Sequence, residues 1–182
     1  MRVRLQQVAL CGSDLPDFLG IAPNYPVAPG GSGHEGIGIV EACPSGSYAE
    51  GDLVLLWGFD RDNGLFQEAV LTHDAGLLRL PSDETPEKIL MSQLLGTVIR
   101  PFRKISQIIN QHVVVLGQGP TGQLFDATLR NLGARSIVAV DPLDFRLEVS
   151  RQSGATHTLN PTRDSIFDAV RDITAGAMAD IV

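Results

Sequence analysis

The sequence predicts an α/β chain in two parts: a β-rich first part, and a second part that begins a doubly wound parallel sheet. Three observations carry this. Short apolar runs separated by Gly and Pro fill residues 2–80. Helical spacing takes over from Pro86. From Val113 onward, apolar strand runs alternate with helical patterns in a βαβ order. We place the division between residues 1–98 and 99–182.

Val3, Leu5 and Val8 alternate with polar residues and predict a strand over residues 2–10. Cys11-Gly12-Ser13-Asp14 ends it, and a Pro- and Gly-rich loop runs to Gly33. Further strands are expected at Ile37–Glu41, Leu53–Trp57, Phe66–Leu71 and Gly76–Leu80, with a turn at Gly51-Asp52. Together they suggest a small, irregular β-barrel-like domain. Ile89, Leu90, Leu94 and Val98 predict a helix or helix pair from Pro86 to about Asn110.

The stretch Val113–Asp141, VVVLGQGPTGQLFDATLRNLGARSIVAVD, is the most informative. An apolar strand runs into Gly117-Gln118-Gly119-Pro120-Thr121-Gly122, then into a helix carrying Leu124, Phe125, Leu129 and Leu132, with Gly133 as its stop. A second strand, Ile137–Val140, ends on Asp141, nineteen residues past Gly122. This is the pattern of a dinucleotide site. Gly117 permits the tight turn, Gly119 lets a pyrophosphate approach the backbone, and Gly122 allows close packing of helix on strand. Pro120 and Thr121 open the helix whose N-terminus faces the phosphates. A carboxylate at Asp141 accepts ribose hydroxyls and repels a 2′-phosphate, which favours NAD over NADP. Beyond it, helices are expected over Asp144–Gly154 and Asp164–Ala175, and strands at Thr156–Leu159 and from Asp180. A doubly wound nucleotide domain has about six strands in two halves; only the first half is expected here.

Composition narrows the function. A net charge of −7 without a Lys/Arg cluster argues against a nucleic-acid surface. No run of about 18 apolar residues predicts a membrane span. The N-terminal residues have no signal-peptide pattern. Cys11 and Cys43 suffice for one disulfide by count, but beside a nucleotide-site pattern both are expected reduced, in a cytoplasm.

Cys11, His34 and Glu35 form a second constellation. Thiolate, imidazole and carboxylate together suit zinc. By composition alone, a buried cysteine and a hydrogen-bonded histidine explain the same residues, and both readings stand at this point.

Four motifs in order bear on the choice: Cys11-Gly12-Ser13-Asp14, Gly33-His34-Glu35-Gly36-Ile37-Gly38-Ile39-Val40, Gly51-Asp52-Leu53-Val54, and the Gly117–Gly122 turn. The chain thereby resembles the zinc-dependent medium-chain dehydrogenases, among them the alcohol, sorbitol and threonine dehydrogenases. The resemblance implies a GroES-like catalytic domain beside a Rossmann domain, each partial here, without the opening hairpin, the second Rossmann half or the returning catalytic segment. It implies one catalytic zinc held by Cys11 and His34, with Glu35 able to ligate it in exchange with water or substrate. Ser13 matches the hydroxyl that takes the substrate's proton, and Asp14 the acid that orients the ligand histidine. Gln93 stands where a branch of the family has an acidic third ligand; it ligates weakly or only hydrogen-bonds.

Other departures are the missing four-cysteine lobe between Trp57 and Phe66, which predicts no structural zinc, and Pro16 in the place of a relay histidine. Cys43, His73, His112 and His157 match no ligand place. The implied activity is reversible oxidation of a small alcohol or polyol with NAD, with doubt over turnover by this chain itself; full-length relatives are usually homo-oligomers. The alternatives are a non-catalytic nucleotide-binding or interaction remnant, and a zinc-free quinone-reductase-like enzyme using NADPH. Cys11, His34 and Asp141 weigh against the last.

Overall fold

The computed structural model describes residues 1–23, 25–28, 30–57, 64–81 and 83–182. These residues form two compact units, Met1–Leu94 and Leu95–Val182.

The first unit is an antiparallel sheet. Its strands are β1 (Arg2–Ala9), β2 (Glu35–Ala42), β3 (Leu53–Leu56), β4 (Ala69–Leu71) and β5 (Leu77–Arg79), in spatial order β4-β1-β2-β3-β5. β1 pairs along its whole length with β2, so Ala9 lies opposite Glu35. That pairing brings the end of the first strand to the start of the second, although 25 residues separate them in the chain. Val3, Val40, Val54, Leu56, Leu65, Val70 and Leu77 make the core. A smaller cluster of Ile37, Leu55 and Leu90 seats the start of the helix that begins at Pro86 on the other side of these strands.

Two short elements differ from the predicted loop between β1 and β2. Gly12–Asp14 forms a 3-10 turn, and Leu15–Phe18 a single helical turn, α1. Pro16 sits in the first turn of α1, where its missing N–H costs nothing. The strand expected from Phe66 begins only at Ala69.

α2 spans Pro86–Phe102 and does not reach Asn110. Pro101 ends it by removing a helical donor and crowding the preceding turn. Lys104 then donates its N–H to Pro101 O in a tight turn.

The second unit is a parallel sheet of β6 (His112–Leu116), β7 (Ser136–Val140) and β8 (His157–Leu159), in that order. Helices α3 (Pro120–Asn131), α4 (Asp144–Ser153) and α5 (Ile166–Ile173) connect or follow these strands. Strand alternation sorts the side chains. Val113 and Ile137 pack with Leu129 of α3, whereas Val114, Val138 and Val140 pack with Val170 of α5. Both sheet faces are therefore covered, as a parallel sheet requires. Burying Leu129 alone contributes about 1.5–3 kcal/mol. The expected strand from Asp180 is present as one parallel bridge, Ile181 beside Val113.

No helix among the described residues is long and apolar enough to cross a membrane.

Candidate functional site

The first unit gathers Cys11, His34 and Glu35 so that one ligand atom from each lies within 4.8 Å of the other two. The β1–β2 pairing does the coarse work, and Asp14 does the fine work. Asp14 is 4% exposed. Its Oδ2 accepts the Cys11 N–H at 2.8 Å, and its Oδ1 accepts the Gly33 N–H at 3.2 Å and the Ser32 hydroxyl at 3.1 Å. One carboxylate thus ties together the two backbone segments that carry the thiol and the imidazole. The 3-10 turn aims it there, since Asp14 is three residues from Cys11.

The His34 ring lies between two carboxylates. Nδ1 is 3.6 Å from Asp14 Oδ1, and Nε2 is 3.8 Å from Glu35 Oε1 and 3.4 Å from Ser13 Oγ. The distance to Asp14 exceeds a hydrogen bond. Asp14 here grips the backbone more firmly than the ring it was expected to orient. Glu35 is 6% exposed, while Cys11 and His34 are half-buried and Ser13 is open to solvent. A soft sulfur, an imidazole nitrogen and a carboxylate oxygen at this spacing fit zinc, whose bonds to such donors run about 2.0–2.3 Å. Gln93 lies half-buried on α2 and makes no hydrogen bond with these three among the described residues.

Cys43 is a free thiol, as is Cys11. It sits on an exposed turn, where the Ser45 hydroxyl at 3.1 Å draws its pKa below the ordinary thiol value. His73 and His157 are exposed, and His112 pairs with the Ser136 hydroxyl at 2.7 Å. The place of the cysteine lobe, residues 58–63, lies outside the described residues.

In the second unit the glycine turn joins β6 to α3. Gly117 has φ +89°, which a side chain disfavours. A Cβ on Gly122 would lie 2.0 Å from Gly117 O, so helix and turn touch directly there. A Cβ on Gly119 would meet nothing within 4 Å, which leaves that backbone open for a ligand. Pro120 and Thr121 are exposed at the start of α3.

Asp141 is 2% exposed and is held within the fold. Its Oδ2 accepts the Gln118 N–H at 2.8 Å, and its Oδ1 accepts the Leu143 N–H at 2.8 Å. Arg146 approaches Oδ2 to 3.4 Å. Burial pushes the Asp141 pKa up, but the two backbone donors and Arg146 outweigh it and hold the acid below its ordinary value. The carboxylate is thus an ionised brace across the turn.

Sequence reading missed the polar seam behind that turn. Gln118, 1% exposed, accepts the Ser150 hydroxyl at 3.0 Å on its Oε1. Gln123 Nε2 reaches Gln118 O, Arg146 O and Ser150 Oγ at 3.0–3.2 Å. Asp126 is fully buried on the same helix face. The signal was present: Gly122, Asp126 and Leu129 fall on one helical stripe, so an acid stood at a core position.

Comparison with known proteins completes the description. Residues 1–82 match the family model described as the alcohol dehydrogenase GroES-like domain. An alcohol dehydrogenase of Cupriavidus necator is 30% identical, the match covering 98% of this chain and 61% of that protein. An L-threonine 3-dehydrogenase of Caldanaerobacter subterraneus subsp. tengcongensis is 28% identical, over 80% of this chain and 41% of the relative. The solved zinc-dependent alcohol dehydrogenase 2 from Streptococcus pneumonia superposes with a TM-score of 0.81 at 27% identity, covering 98% of this chain and 59% of that one. The chain thus spans 41–61% of the length of these relatives.

Proposed function

We propose that this chain, whose residues 1–82 match the alcohol dehydrogenase GroES-like domain, is a medium-chain dehydrogenase/reductase and that its residues serve zinc-dependent transfer of a hydride between a small alcohol or polyol and NAD. The observation that carries the reading is the convergence of Cys11, His34 and Glu35 on one point, in a chain whose relatives are alcohol and threonine dehydrogenases.

Cys11 and His34 would hold the metal, Glu35 would share the remaining positions with water or substrate, and Gln93 is the candidate neutral third ligand. When bound, zinc supplies Lewis acidity that favours the alkoxide form of an alcohol. Asp14 keeps the two ligand-bearing segments in register. The Ser13 hydroxyl, exposed and 3.4 Å from His34 Nε2, is placed to receive the alcohol proton and pass it to solvent. With Pro16 in the relay position, that exit does not run through a neighbouring histidine.

For the cofactor, Gly117, Gly119 and Gly122 with Pro120 and Thr121 form the pyrophosphate seat at the positive end of α3. Asp141 disfavours a 2′-phosphate, although Arg146 beside it weakens that discrimination.

Titration of the purified chain with zinc, and then with NAD and NADP, tests the reading. One zinc per chain, lost in Cys11→Ser, and tighter binding of NAD than NADP are expected. A chain that takes up no zinc would sink the metal assignment, and preference for NADP would favour the quinone-reductase-like alternative. NADH formation from a panel of alcohols and polyols tests turnover by these 182 residues. A binding role without turnover is favoured by the neutral Gln93. Under it Gln93→Glu raises zinc affinity, and the native chain shows no NADH formation.

A further inference from the structure

The α3–α4 seam contains a chemical imbalance that the proposed reaction does not use. Asp126 is 0% exposed, and neither carboxylate oxygen makes a well-formed hydrogen bond, although the Ser150 hydroxyl is near enough to act on it. Gln123 Oε1, one turn earlier, is buried and unpaired as well. Among the described residues of this unit, these three oxygens are the buried side-chain atoms left without partners, and all are acceptors. The Gln123 amide is not misoriented, because its Nε2 already faces three oxygens. The one proton of Ser150 is directed to Gln118 Oε1 or Arg146 O, each at 3.0 Å. With three acceptors unpartnered, the seam lacks a donor.

We propose that folded Asp126 is a neutral carboxylic acid whose O–H supplies that donor, and that its ionisation loosens the α3–α4 seam under the glycine turn. The mechanical link is short. Ser150 holds Gln118 Oε1, Gln123 holds Gln118 O, and Gln118 is the residue between Gly117 and Gly119. An ionised Asp126 competes for the Ser150 proton and withdraws it from Gln118.

No charge compensates the anion. On its own helix the nearest cation is Arg130, one turn on, whose side chain lies against the backbone at Gly154. α4 carries Asp144, Arg146, Glu148 and Arg151; these pair with Arg163, Asp141, Arg151 and Glu148 respectively. β6 and β7 offer valines, Ile137 and Ala139, with His112 bound to Ser136 and Asp141 bound to the turn. Burial accordingly drives the Asp126 pKa up to about 7, with Ser150 opposing it weakly. A raised acid stabilises the fold fully below its unfolded value near 3.9, and that contribution is lost as pH rises through about 7.

The test is difference infrared spectroscopy and amide NMR of the intact chain between pH 5 and 8.5, with Asp126→Asn as control. A protonated-carboxyl band is expected at pH 5 and absent at pH 8.5. The Gln118 and Gly119 amide shifts and the exchange protection of α3 and α4 should follow the same midpoint. Asp126→Asn, which keeps a donor at every pH, should abolish the band and flatten the shifts, with at least tenfold slower amide exchange in α3 than wild type at pH 8.5. Absence of the band from folded wild type at pH 5 overturns the proposal, even if the variant fails to fold. So do Gln118 shifts that titrate identically in the variant.

Discussion

The ligand cluster of the first unit and the glycine turn of the second are both strand-end sites, yet they handle their polar atoms in opposite ways. At the cluster, Cys11 and His34 are half-buried and only loosely engaged, the one hydrogen bond to the ring being the long contact with Ser13 at 3.4 Å among the described residues. One buried carboxylate, Asp14, holds the backbone beneath them. At the turn, Asp141, Gln118, Gln123 and Ser150 are already bonded to one another or to the main chain. What is left for a ligand there is bare backbone and a helix end. On the proposed function, groups that would change partners on binding stay loose, whereas groups that only need to be in place are locked by the fold. The comparison predicts where substitutions will hurt folding and where they will hurt binding alone.

The sharpest break is Gly122→Ala. Its Cβ would meet Gly117 O at 2.0 Å, so the helix must move off the turn. A loss of stability at or beyond the upper end of the roughly 1–3 kcal/mol overpacking range is expected in thermal unfolding. A fully stable variant would show that turn and helix are not in direct contact.

Next is Cys11→Ser, which should leave the apo fold intact and cost more than about 100-fold in zinc affinity, beyond the range for an outer partner. Asp14→Asn should fall within that 10–100-fold range and also destabilise the apo chain, because the N–H groups of half-buried Cys11 and buried Gly33 lose a charged acceptor. Equal zinc affinity in Asp14→Asn and wild type would erase the distinction between ligand and clasp.

Asp141→Asn probes the locked side by pH. The depressed folded pKa means that Asp141 contributes stability above its unfolded value near 3.9, and that this is lost as pH falls through the lower folded value. The variant should therefore show a shallower acid limb in its denaturation profile. Smallest for the fold is Gly119→Ala. Nothing lies within 4 Å of the added methyl, so unfolding should shift by less than about 0.5 kcal/mol while NAD affinity falls. Unchanged NAD binding would move the cofactor away from this turn.

Much of this was legible in one dimension. Period-two and period-3.6 apolar patterns placed β1, β2, β3, β6, β7, α3 and α4 to within a residue or two. The glycine spacing and the terminal Asp141 marked the turn, and the Cys-His-Glu triplet marked the cluster. The 3-10 turn at Gly12–Asp14 was not legible, because three residues carry no periodicity. The end of α2 was misjudged because apolar spacing continued past Pro101, whose missing donor decides the matter.

By itself, then, the sequence determined the order of strands and helices, the turn that needs glycine at Gly117 and Gly122, and which side chains have metal-binding chemistry. These depend on local sterics and on the identity of single residues. Tertiary structure alone decided that one Asp14 carboxylate spans Cys11 and Gly33, that Asp141 braces the turn it was expected only to accompany, and that Asp126 lies in a seam with no donor to spare. Each is a matter of which buried acceptor meets which donor, and that is settled when distant segments pack and water leaves.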